Sequence, residues 1–188
     1  MGGLRVARVE DAKAIADIYA PYVRDTVISF EDVPPTPAEM ADRIAQILPT
    51  YPFLVHEAAG DVVAYAYASP HRAREAYRWS CDVTVYARPE VHGKGIGRRL
   101  YGELLALLEA QGLHMAYGGI ALPNAASVGL HEAMGFRQVA LYPEVGFKHG
   151  AWRDVGWWAK TLASATDGAE PIPFADLPPP RFGQDADT

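Results

Sequence analysis

The segment His92-Gly93-Lys94-Gly95-Ile96-Gly97-Arg98-Arg99 constrains this chain more than any other stretch. It stands between an apolar, strand-like run (Cys81-Asp82-Val83-Thr84-Val85-Tyr86) and a helical run from Leu100 to Gln111. Alternating glycines let the backbone turn tightly and approach a ligand closely, because no Cβ intervenes. A helix that starts there aims its unpaired N–H groups, with their partial positive charge, into the turn. Lys94, Arg98 and Arg99 add positive charge at the same place. That combination suits a phosphate or a pyrophosphate.

Two better-known phosphate loops do not fit. A Walker A loop needs Gly-x-x-x-x-Gly-Lys-Ser/Thr, and Lys94 is followed by Gly95. A dinucleotide fingerprint needs Gly-x-Gly-x-x-Gly after the first strand of a βαβ unit, whereas the spacing here is Gly93-x-Gly95-x-Gly97. A tight turn with no ligand is the plain alternative, and the flanking cations weigh against it.

The 188 residues suit one domain, and 49% hydrophobic content is enough for a core without metal or disulfide staples. The lone cysteine, Cys81, excludes an intrachain disulfide and fits a reducing cytoplasm. No signal peptide and no run near the ~20 apolar residues of a membrane span is found. Net charge is −6, and the acids Asp167, Glu170, Asp176, Asp185 and Asp187 against the one base Arg181 concentrate it beyond Ala163. The body is close to balance and has no broad basic surface, which argues against nucleic acid as a partner. The six histidines show no metal-ligand spacing.

Periodicity orders the chain. A first strand covers Leu4–Val9, and Asp11 caps a helix through Ile15, Ile18 and Val23 that Pro21 bends or ends. Thr36-Pro37-Ala38-Glu39 combines an N-cap, proline at the first position and a capping-box glutamate, opening a helix to Leu48. Phe53–Glu57 and Val62–Ala68 read as a hairpin. Strands follow at Arg78–Ala87 and His114–Leu122, separated by the helix that Gly112 closes. A short helix opened by Asn124 or Ser127 ends at Gly135. Strands at Phe136–Tyr142 and Asp154–Thr161 flank a loop rich in glycine and aromatics. A single mixed sheet with helices on both faces accounts for this order. Residues 1–162 form the domain, and 163–188 are expected to be a Pro-rich acidic tail, mobile or docked on a neighbour.

The glycine segment resembles the signature of the GNAT superfamily of acyl-CoA-dependent N-acyltransferases, Gln/Arg-x-x-Gly-x-Gly/Ala, with His92 at the first position. Further segments, in order, resemble the phosphinothricin N-acetyltransferase subgroup: 73–79, Thr84-Val85-Tyr86, 121–124, Ser127, 130–136 and 147–156. The resemblance spans about Leu4 to Leu162. It implies an α/β (α+β) fold: a single mixed, mostly antiparallel sheet of about seven strands with helices on both faces. It also implies acetyl transfer from acetyl-CoA to the α-amine of a small amino acid or analogue, and a homodimer.

Acetyl transfer to an amine requires deprotonation, a polarised thioester, a held cosubstrate and a departing thiolate. The resemblance puts a glutamate base where this chain has Asp82, which either takes the amine proton or pairs with a nearby arginine. It implies a splayed strand with Val85, Tyr86 and Ala87 along the acetyl-pantetheine arm, and a pyrophosphate held by His92, Gly93, Lys94, Gly95, Ile96, Gly97 and Arg98. Asn124 and Ser127 would bond the pantetheine or the adenosine side. His131 is either the acid for the thiolate or a histidine packed beside the cofactor. Arg72 and Arg74 offer guanidinium forks to an amino-acid carboxylate, or are solvated surface charge. Phe30 and Tyr77 would line the acceptor pocket. Cys81, on the opposite strand face from Asp82, reads as core. A competing reading is an acyl-CoA-binding module without chemistry, and another is transfer to a different amine.

Overall fold

The computed structural model describes residues 3–162 and 167–183. Elements run β1 (Gly3–Val6), α1 (Ala12–Asp25), α2 (Pro37–Ile47), β2 (Phe53–Ala58), β3 (Asp61–Pro70), β4 (Ser80–Ala87), α3 (Ile96–Ala110), β5 (Met115–Ala121), α4 (Ala125–Ala133), β6 (Arg137–Lys148) and β7 (Ala151–Thr161). The strands form one seven-stranded sheet in the order β1-β2-β3-β4-β5-β7-β6. Every pairing is antiparallel except β4 with β5. This is the expected mixed sheet.

Strand alternation divides the core in two. Leu54, Ala64, Ala66, Cys81, Val83 and Ala116 meet Leu100, Leu104 and Leu108 of α3 on one face. Phe53, Val55 and Tyr65 meet Ile15, Ile18 and Val23 of α1 and Met40 and Ile44 of α2 on the other. Cys81 is fully buried, as its strand face predicts, and burial pushes its thiol pKa up.

Local chemistry explains most boundaries. Thr36 and Glu39 form the capping box, with Thr36 N donating to Glu39 Oε2 at 2.7 Å and Glu39 N to Thr36 Oγ1 at 3.2 Å. Helix α1 runs through Pro21 to Asp25 rather than ending at it. Asp11 precedes that helix but does not cap it: its carboxylate accepts from Arg8 N at 2.7 Å and from the Arg5 guanidinium at 2.7 Å. These bonds shape a 3-10 turn at Val9–Asp11, so the first strand stops at Val6.

Two further expectations need correction. The loop predicted between Tyr142 and Asp154 is mostly strand, because β6 and β7 form a long hairpin closed by His149 (φ 50) and Gly150 (φ 74). Paired positive φ values make a two-residue turn whose twist matches the strands. An irregularity between Tyr142 and Gly146 bends it. Residues 167–183 of the tail lie against the protein's own surface: Glu170 pairs with Arg78 at 2.6 Å, Ile172 N donates to Gln111 O at 2.7 Å, and Phe174 is buried. Buried apolar area and satisfied backbone groups hold this segment despite its proline content. Asp185 and Asp187 lie outside the described residues.

Candidate active site

β4 and β5 pair over only three positions, Ser80↔Met115, Cys81↔Ala116 and Asp82↔Tyr117. Beyond them both strands continue, to Ala87 and to Ala121, but apart. Arg88 N donates back to Val63 O at 2.9 Å. By strand alternation the backbone groups of Val85 and Ala87 therefore face the opposite way, into the gap. The Ala87 carbonyl already accepts from Tyr22 Oη at 2.5 Å. The expected splayed strand is present.

The gap is a cavity of about 420 Å³. Val85, Tyr86 and Ala87 form one wall, and Gly119, Ile120 and Ala121 the other. His92, Gly93, Gly95, Ile96, Gly97 and Arg98 close its mouth, with Asn124, Ser127 and His131 at its side. Helix α3 begins at Ile96, four residues before the predicted Leu100, so its first turn includes Gly97 and Arg98. Gly93 and Gly95 have φ of +74 and +78, a region costly for residues with a Cβ. Arg99 N donates to Gly95 O at 3.0 Å, closing the first helical turn. The preceding amides have no carbonyl partner within the helix and face the turn.

The other predicted residues divide. Lys94 sits at the turn but does not line the cavity. Arg99 reaches away to the tail, donating to Gly183 O at 2.6 Å. Asn124 caps α4, its Oδ1 accepting from Ser127 N at 3.1 Å. His92 Nε2 lies 3.0 Å from Tyr22 Oη and 3.1 Å from Ala87 O, so the histidine in place of the motif's Gln or Arg braces the end of β4.

His131 is buried, and burial lowers its pKa despite the Ser127 carbonyl. Its Nδ1 is 2.8 Å from Ser127 O, an atom that only accepts, so Nδ1 carries the proton of the neutral ring. Nε2 then accepts from Tyr101 Oη at 3.2 Å.

A second cleft adjoins the first, sharing Ile28, Tyr86, Gly119 and Ala121, and is lined further by Tyr19, Phe30, Tyr142 and Trp157. Phe30 is thus a wall of this second cleft. Its ring rests against Gly146, where a Cβ would collide with it. Arg72 lies 5.6 Å over the ring of Trp157. Arg74 is exposed and lines neither cavity. Tyr77 is half-exposed.

Asp82 stands at the apex of the fork, on the α1/α2 face. Burial pushes its carboxyl pKa up, and the hydrogen bond from His71 and the charge of Arg72 pull it back. His71 escaped sequence reasoning: it follows β3 by one residue and carries no motif. Tyr22, Tyr101, Tyr142 and Trp157 were missed as well, and each comes from a different element.

Residues 4–157 match the acetyltransferase (GNAT) domain. The chain belongs to the GNAT acetyltransferase family. It is 40% identical over 157 residues to phosphinothricin N-acetyltransferase of Streptomyces viridochromogenes, covering 84% of this chain and 86% of that protein. It is 37% identical to L-methionine sulfoximine/L-methionine sulfone acetyltransferase of Pseudomonas aeruginosa, covering 81% and 90%. A crystal structure of a phosphinothricin acetyltransferase from Sinorhizobium meliloti in complex with AcCoA matches with a TM-score of 0.83 and 38% identity, covering 86% of this chain and 88% of that one.

The chain is therefore an acetyl-CoA-dependent N-acetyltransferase. Its residues fit that cosubstrate: an anion-attracting helix terminus at the mouth of the gap, outward-facing strand amides along it and a carboxylate at its apex. Among the described residues no cluster of three or more His, Cys, Asp or Glu could hold a metal ion, and no helix is long and apolar enough to cross a membrane.

Proposed function

We propose that the chain acetylates the α-amine of a small amino acid or analogue of the phosphinothricin, methionine sulfoximine or methionine sulfone type. The observation that carries this reading is the fork: the cavity behind the glycine turn adjoins an aromatic cleft, and Asp82 stands at the last pairing of β4 with β5, where the gap opens. Acetyl-CoA, when bound, supplies the thioester carbonyl that the amine attacks. The turn from Gly93 to Arg98 holds its pyrophosphate, with Lys94 at the rim, while Asn124 and Ser127 meet its pantetheine or adenosine side. The Val85 N–H polarises the thioester oxygen, a contribution of ~2.7–4 kcal/mol for one such donor. Asp82 is the basic centre for the ammonium proton. Arg72, held over Trp157, meets the acceptor carboxylate, with Phe30 as a cleft wall and Arg74 and Tyr77 on the outer surface. His131, once protonated at Nε2, gives the departing sulfur its proton, with solvent as the other source. A thiolate of pKa near ~8.5 needs little help to leave.

The same reading takes the chain as a cytoplasmic homodimer that handles neither nucleic acid nor membrane. Exposed Val139, Leu141, Val145, Phe147 and Trp152 on β6 and β7 support a self-associating face, since monomers seldom expose such patches. Loss of dimer mass in Trp152→Asp by light scattering is the expected result, and an unchanged mass would exclude that face.

The functional test is a panel of amines with acetyl-CoA, reading free thiol. Acetylation of L-methionine sulfoximine is expected, and Asp82→Ala should lower turnover with little change in acetyl-CoA affinity. Thiol release with none of the amines would leave a binding module in place of an enzyme.

A further inference from the structure

Asp82 has a partner at the fork. Its Oδ1 lies 2.6 Å from Nδ1 of His71. The imidazole is held from three sides: it stacks on Tyr117 with ring centres 4.3 Å apart, meets Trp157 edge-on at 5.7 Å and meets Tyr77 edge-on at 6.2 Å. Trp157 is also a wall of the aromatic cleft. Arg72 clamps the backbone here, its Nη1 donating to His71 O at 2.7 Å. The His71 side chain is 14% exposed, enough to exchange a proton with solvent. An ionised carboxylate only accepts, so Nδ1 carries the hydrogen in that contact and Nε2 carries the lone pair of the neutral ring.

We propose that His71 and Asp82 act as one proton-accepting pair, in which the imidazole takes up the ammonium proton of the acceptor and the carboxylate orients it and holds the imidazolium. An N–H bond of the ammonium breaks, its electron pair stays on the amine nitrogen, and an N–H bond forms at Nε2 directly or across one water. The positive charge moves from ammonium to imidazolium, where Asp82 faces it. The bond between Nδ1 and Oδ1 persists throughout. This rests on Asp82 being the basic centre and goes further by assigning the proton to His71. It also gives the aspartate a reason: one methylene shorter than the expected glutamate, it seats a histidine instead of reaching the amine. The other titratable or charged groups around the pair are Arg72, Tyr77, Tyr117 and Tyr67, with Cys81 and Tyr51 across the sheet.

The test uses the full chain with acetyl-CoA and L-methionine sulfoximine. In His71→Asn the amide can still donate to Asp82 but takes up no proton. Turnover should fall about 100-fold, within the range for general bases. The acid limb of kcat/KM should move toward lower pH, because only a carboxylate remains as base. Acetyl-CoA binding by calorimetry should be unchanged, and His71→Gln serves where His71→Asn misfolds. A low-field exchangeable proton resonance should be present in the wild type and absent in Asp82→Asn. Either variant keeping wild-type turnover, a fall in turnover with the acid limb in place, or no such resonance would overturn the pair. A wild type that releases no thiol with any amine defeats the proposed function instead, and the resonance still decides whether the pair forms.

Discussion

Lys148 is a buried cation whose removal should uncouple acceptor binding from cosubstrate binding. Its side chain crosses from the end of β6 to the last turn of α1 and the loop after it, where Nζ donates to the carbonyls of Val23 at 2.7 Å, Ser29 at 2.6 Å and Glu31 at 2.8 Å. Two of these acceptors flank Phe30, a wall of the aromatic cleft. Each bond from a charged donor contributes about 1.5–3 kcal/mol. Against their sum stands the cost of desolvating an ammonium, several kcal/mol. Lys148→Met removes both and leaves three carbonyls without the donor, so the net loss should be ~2–4 kcal/mol. For a chain of this length that lowers the melting temperature by ~5–15 °C. The loosened loop should raise the acceptor KM about 10-fold, equivalent to ~1.4 kcal/mol. The turn at Gly93–Arg98 is untouched, so the acetyl-CoA Kd should stay within about two-fold. Calorimetry and steady-state kinetics on the same preparation separate these effects. A variant that melts within about 1 °C of wild type and keeps its acceptor KM would show that the clasp does not shape the cleft.

Gly95→Ala forces a Cβ onto a backbone at φ +78 and should cost ~1–2 kcal/mol, weakening acetyl-CoA binding about 5- to 30-fold. Gly102→Ala, in the interior of α3 with open space around it, is the matched control and should bind normally; equal affinities in calorimetry would contradict the role of the turn. His131, whose pKa burial lowers, binds fewer protons in the folded chain than in the unfolded one below its ordinary ~6.5. That contribution to stability is complete above pH ~6.5 and is lost as pH falls toward the folded pKa. The urea midpoint should therefore drop more steeply between pH ~7 and ~5.5 in wild type than in His131→Asn, and parallel slopes would count against a buried neutral imidazole. Asp82, raised in the folded chain, works in the opposite sense but is common to both proteins.

Sequence was most informative where chemistry is local. The capping box of Thr36 and Glu39, the hairpin around Gly60 and the glycine turn are each encoded within a few residues, and each forms. Asp11 misled because a short carboxylate before a helix looks like a cap, while Arg5, six residues earlier, competes for it. The β6–β7 hairpin read as a loop because Gly146, His149 and Gly150 interrupt its alternation, although contacts such as Phe147 with Trp152, 5.2 Å apart, sustain it. At the site, motif residues on contiguous backbone were found, whereas His71 was not. Its significance lies in a contact with a residue 11 positions away and in rings from three other segments, none of which has a sequence period.

Only three register positions join β4 to β5, so the molecule is close to being two half-sheets with a seam between them. Whatever fills that seam acts as mortar as well as reactant. A ligand seated there touches both halves, so the unfolding midpoint should rise with its concentration. A compound that bridges the seam without a reactive thioester would toughen the protein while silencing it.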